Sequence, residues 1–68
     1  MSIVELRDKL VKEESDLFDK IDNLEDYIDS GMVGATKRQK SLLEQQLGAM
    51  KDYDLILERR IKDINDRI

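Results

Sequence analysis

The spacing of apolar residues between Leu43 and Ile64 leaves this chain few folds to choose from. Leu43, Leu47, Met50, Leu57, Ile61 and Ile64 follow one another at steps of 4, 3, 7, 4 and 3, and Asp54 occupies the one missing slot. That is the period of a helix face, not of a strand. A second stripe runs beside it through Leu42, Gln46, Ala49, Tyr53, Ile56 and Arg60. A helix in a two-helix hairpin needs only one such face, so the second predicts another partner.

The first half carries the same pattern. Ser2-Ile3-Val4-Glu5 is a capping box that starts a helix at about Ile3. Its main stripe is Ile3, Leu10, Leu17, Ile21, Leu24 and Ile28, with Arg7 and Glu14 in the intervening core-type slots. Polar residues in such slots fix register or meet a partner at a cost in stability. Val4, Val11 and Phe18 form a second stripe at intervals of seven. Gly31 is placed to close the helix, and the short SGMVGA turn puts Met32 and Val33 over the hairpin end. Thr36-Lys37-Arg38-Gln39 is a second capping box. The chain is therefore expected to be all-α and to form one domain over residues 1–68, with a helix at about 3–30, a turn at 31–36 and a helix at about 37–67. A turn that short makes the helices antiparallel neighbours. Matching the stripes sets Ile28 against Leu43, Ile21 near Met50, Leu17 near Asp54, Leu10 near Ile61 and Ile3 near Ile68, in a hairpin about 45 Å long. Two helices cannot enclose a core, so the second stripes predict a helical homo-oligomer, with a dimer as the simplest unit.

Composition excludes several classes of function. The 68 residues include no Cys and no His, which removes disulfides, the usual zinc sites and the commonest acid–base and nucleophilic groups. No apolar run approaches the roughly 20 residues of a membrane span, and the opening MSIVELRDKL has acids and no basic segment, unlike a signal peptide. The net charge of −4 argues against general DNA binding. That charge is uneven: residues 1–30 hold ten acids and four bases (−6), and residues 31–68 hold six acids and eight bases (+2). Either the two helices attract each other, or the bases of the second half gather around an anion. Carboxylate pairs such as Glu13/Glu14 and Asp52/Asp54 are spaced as a solvated helix face rather than as a metal or acid–base centre. The second helix start, with Lys37, Arg38 and Lys40, is a candidate anion site. Gly48-Ala49 is read as a place for another helix to approach. No enzyme, cofactor or metal centre is expected.

Two residue orders go further. L-L-x-x-Q-L-x-x-M-x-x-Y-x-x-I-L-x-x-R-I is carried by Leu42, Leu43, Gln46, Leu47, Met50, Tyr53, Ile56, Leu57, Arg60 and Ile61. Upstream, D-L-x-x-K-I-x-x-L-x-x-Y-I is carried by Asp16, Leu17, Lys20, Ile21, Leu24, Tyr27 and Ile28. From about Arg7 to Ile64 the chain resembles the small phage proteins of the Acb/Tad helical-hairpin superfamily, a group that includes short proteins of crAss-like phages. The resemblance implies a counter-defence protein in the host cytoplasm. Such a protein binds the cyclic di- or trinucleotide signals of bacterial CBASS immunity without cleaving them, in pockets between protomers of an assembly that reaches a hexamer. It also implies phosphate contacts from Lys20 and Arg60, positions at which the family's lysine and arginine meet ligand. On the residues themselves, Tyr53 or Phe18 offers a ring for stacking a base, and Gln46 lies on the same helix face as Tyr53. In the expected register Lys20 and Arg60 sit about 13 Å apart along the axis, a separation that favours a pocket completed by a second protomer. The runner-up is a non-catalytic helical adaptor or inhibitor that binds a host protein.

Overall fold

The computed structural model describes residues 2–68. Two helices, α1 (Ile3–Asp29) and α2 (Lys37–Arg67), pack side by side as an antiparallel hairpin 47 Å long and 18 by 14 Å in section. Both helices begin at their hydroxyl caps. The Ser2 Oγ accepts from the Glu5 amide at 3.1 Å, and the Thr36 Oγ1 accepts from the Gln39 amide at 3.2 Å. Each bond satisfies an amide that has no partner within the helix.

The end of α1 is a two-bond closure of the Schellman kind. The Met32 amide donates to the Tyr27 carbonyl at 3.2 Å and the Gly31 amide to the Ile28 carbonyl at 3.0 Å. This geometry needs positive φ, which Gly31 adopts at 92°; Met32 follows at 52°, a conformation that non-glycine residues seldom occupy. Burial of the Met32 side chain offsets that strain. Val33 turns outward instead of covering the hairpin end and is 82% exposed. Its carbonyl is held by the Tyr27 hydroxyl at 3.1 Å, which ties the turn to the last turn of α1.

The seam between the helices follows the two main stripes. Leu10, Leu57 and Ile64 form its centre, with Leu6, Leu17 and Ile61 packed against them, and Ile21 and Met32 are buried nearer the turn. Leu57 is wholly enclosed, and a leucine in that position contributes about 1.5–3 kcal/mol through its removal from water. Ile3 and Ile68, expected to close the open end of the seam, are both exposed, at 43% and 59%. Leu6, outside the expected stripe, takes part in the packing instead.

The seam separates two flanks. On one, the Tyr53 hydroxyl of α2 donates to the Glu13 carboxylate of α1. On the other, Lys51 Nζ of α2 meets Glu25 Oε1 of α1 at 3.0 Å, the one ion pair between the helices among the described residues. Attraction between an acidic and a basic half is thus carried by little direct contact. Residues seven apart share a flank to within about 20° around the helix. The Tyr53 flank therefore carries Leu42, Gln46, Ala49, Ile56 and Arg60 of α2 beside Lys9, Glu13, Asp16 and Lys20 of α1. The Lys51 flank carries Val4, Val11 and Phe18 of α1 beside Leu55, Glu58 and Lys62 of α2. Val4, Val11, Phe18, Leu42, Tyr53, Leu55 and Ile56 are all exposed. The second stripes of the two helices thus lie on opposite sides of the hairpin.

Candidate functional site

The Tyr53 flank holds a shallow groove of about 360 Å³. Leu17 forms part of its lining, half-buried, at the edge of the seam. Along α1 its wall is Lys9, Lys12, Glu13, Asp16 and Lys20, which helical spacing brings to one side; from α2, Tyr53 reaches across. The hydrogen bond to Glu13 fixes where the Tyr53 ring lies. Accepting that bond, the Glu13 carboxylate raises the phenol above its ordinary value of 10.0, helped by desolvation and by Glu13's charge, while the positive charge of Arg60 acts the other way. Arg60 is close enough to be felt at Tyr53 and belongs to the same flank, one heptad further toward the C-terminus. Gln46 is one heptad toward the turn, and its amide lies 3.8 Å from the Met50 sulfur.

Four of the five residues singled out from the sequence, Lys20, Gln46, Tyr53 and Arg60, therefore share one flank, with Tyr53 between Lys20 and Arg60. Phe18 does not join them. It is 58% exposed on the opposite flank, in the stripe of Val11, so one hairpin cannot place it in the same pocket as Tyr53. The reason lies in the geometry of antiparallel packing, which sets like-lettered flanking positions of the two heptads against each other. Lettering the heptads would have separated Phe18 from Tyr53 in advance. Lys20 and Lys51, level with each other along the axis, are likewise divided by the seam, with Lys51 occupied by Glu25.

Sequence reasoning passed over Lys9, Lys12 and Glu13 as groove residues, since each looks like ordinary helix surface until Tyr53 crosses to meet them. Tyr27 was noted only as part of a motif; its bond to the turn has no periodic signal. The start of α2 offers exposed Lys37 and Arg38, while Lys40 is half-buried. Gly48 faces open space, so the hairpin itself makes no use of its missing side chain.

The seam contains a second polar feature. Glu14 and Asp54 occupy facing core-type slots, and with Glu58 they bring three carboxylate oxygens within 4.8 Å of one another. Burial, then the charges of Asp54 and Glu58, hold the Glu14 carboxyl above its ordinary 4.5. One oxygen of Asp54, Oδ1, is shut away without a hydrogen-bond partner. Three carboxylates are half the six oxygens that a hard cation such as magnesium takes, and a proton retained by Glu14 relieves the same repulsion. Of the two acidic pairs noted from sequence, the structure divides Glu13 from Glu14, and it is Glu14 that joins Asp54.

No described helix is long and apolar enough to cross a membrane. Among known proteins, the family model described as Sequestin matches residues 5–63, which takes in both helices, the turn and the whole groove. No curated protein and no solved structure matches the chain.

Proposed function

The chain belongs to the Sequestin family, the Acb/Tad-type family of anti-CBASS cyclic-nucleotide sponges, and on that premise we propose that it binds and sequesters cyclic di- or trinucleotide immune signals without cleaving them. The observation that carries the reading is the row formed by Lys20, Tyr53 and Arg60 on one flank of the hairpin. An aromatic ring between two cations suits a flat base joined to phosphates. Arg60 supplies a planar fork for phosphate, Lys20 a point charge, and Tyr53 the stacking surface, with Gln46 as a hydrogen-bonding neighbour. The role is sequestration. It takes place in the host cytoplasm and needs no cofactor.

The exposed flanks support assembly. A groove this shallow leaves most of a nucleotide in water, and a second hairpin laid over the flank would enclose it. The proposed pocket therefore lies between protomers of a homo-oligomer built from dimer units and reaching a hexamer. Phe18 enters such a pocket only from another copy.

Calorimetric titration against a panel of cyclic di- and trinucleotides, with linear dinucleotides as controls, tests the reading. Tight binding of one cyclic species that is recovered intact is expected. Arg60→Glu is expected to abolish that binding while the helical circular dichroism spectrum is unchanged. No binding by any cyclic species would refute the sponge. The alternative, an adaptor or inhibitor that binds a host protein, draws on the open Val4, Val11 and Phe18 stripe. A stable homo-oligomer at low protein concentration that buries this stripe would count against it.

A further inference from the structure

The groove concentrates positive charge in an acidic part of the chain. Residues 1–30 carry ten acids and only four bases, Arg7, Lys9, Lys12 and Lys20. Three of those four line the one groove crossed by Tyr53. None of the three lies within ion-pair distance of a carboxylate among the described residues, although Glu13 and Asp16 share the wall. Glu13 is instead engaged by the Tyr53 hydroxyl. The groove thus has three cations with no carboxylate paired to them among the described residues, and an acidic side chain that holds the Tyr53 ring.

Resting on the reading of this flank as a cyclic-oligonucleotide site, we propose that Lys9 and Lys12 contact ligand phosphate together with Lys20, and that Glu13 is a resident anion which the ligand displaces from Tyr53. Lys9 and Lys12 are one helical turn apart, so their ammonium groups converge on one phosphate. Lys20 lies two turns beyond Lys12, about 12 Å along the axis before the side chains bend inward, and takes another. The ligand class is an anion with at least two phosphates on either side of a flat base. When it enters, repulsion from phosphate drives the Glu13 carboxylate off the Tyr53 hydroxyl. The phenol O–H is then free to donate to the ligand, and the ring to stack. Glu13 lowers affinity for every anion and makes the groove selective for those with enough charge to dislodge it.

The test compares three variants by titration with the panel of cyclic di- and trinucleotides, at several salt concentrations. The Lys9→Gln/Lys12→Gln variant is expected to bind about tenfold more weakly, with the slope of log affinity against log salt reduced by about 1–2. Arg38→Gln/Arg59→Gln removes the same charge from the solvent side of α2, outside both apolar strips, and is expected to bind as the native protein does. Glu13→Gln keeps an acceptor for Tyr53 but not the charge, and is expected to bind about threefold or more tightly. Equal losses in the two double variants would reduce the effect to net charge and overturn the inference while leaving the sponge intact. So would unchanged or weaker binding by Glu13→Gln. No binding of any panel member by the native protein would overturn both.

Discussion

Replacing the facing acids of the seam, Glu14→Leu with Asp54→Leu, should stabilise the hairpin. Both positions are half-buried, Glu14 one helical turn from Leu10 and Leu17 and Asp54 one turn from Leu57. A fully buried leucine contributes about 1.5–3 kcal/mol, so two half-buried ones contribute together about 2 kcal/mol. Removing the two facing acids, one with an oxygen lacking any partner, adds about 1 kcal/mol, nearly all of it from that oxygen because solvent screens the repulsion between the acids. A total near 3 kcal/mol corresponds to a rise in melting temperature of about 12–24 °C for a domain of this size. The assay is thermal unfolding followed by far-ultraviolet circular dichroism at fixed protein concentration, repeated from acid to neutral pH. Glu14 holds its proton more tightly when folded than its ordinary value of 4.5 allows when unfolded. Its contribution is therefore complete below pH 4.5 and is lost as pH rises through the higher folded value. The native protein should lose stability across that window relative to the variant, which lacks the group. A variant that melts at or below the native temperature at neutral pH, with the same pH profile, would refute the reasoning.

Other perturbations follow from the same contacts. Leu57→Ala empties a fully enclosed position and should cost about 3–4 kcal/mol in denaturant unfolding, enough to leave a hairpin of this size largely unfolded. Gly31→Ala meets no neighbouring atom but is forced to a φ of 92°, and should lower stability by about 1 kcal/mol with little change in ligand affinity. Val11→Asp on one flank and Ile56→Asp on the other should each shift sedimentation toward smaller species while leaving the helix content unchanged.

The heptads alone make the hairpin legible, because an apolar seam interrupted only by Arg7, Glu14 and Asp54 has one way to close. Chain ends are less determined: Ile3 and Ile68 have the right residue type for a seam yet stay exposed. The site was legible in part. Tyr53, Arg60 and Gln46 belong to one stripe of one helix, so their common flank follows from spacing alone. Lys20 required the packing of α1 on α2, and the same packing moved Phe18 to the other side. Lys9, Lys12 and Glu13 acquire meaning only through a side chain that arrives from α2. Glu58 is similar: nothing in its own stretch of sequence distinguishes it from Glu44 until Glu14 and Asp54 are seen beside it.

The two open apolar strips come from different helices, α1 on the Lys51 flank and α2 on the Tyr53 flank. A protein with one sticky side pairs off and stops. This one has unlike apolar sides facing away from each other, which would give each copy a valence of two in the proposed assembly. In the proposed homo-oligomer, copies would pair like side to like side through each strip in turn, and only a row that closes on itself would leave neither strip open. The curvature between neighbours, set by how the strip of one helix seats on that of the next, then determines the number of protomers, and a closed ring would hold its grooves at equal intervals.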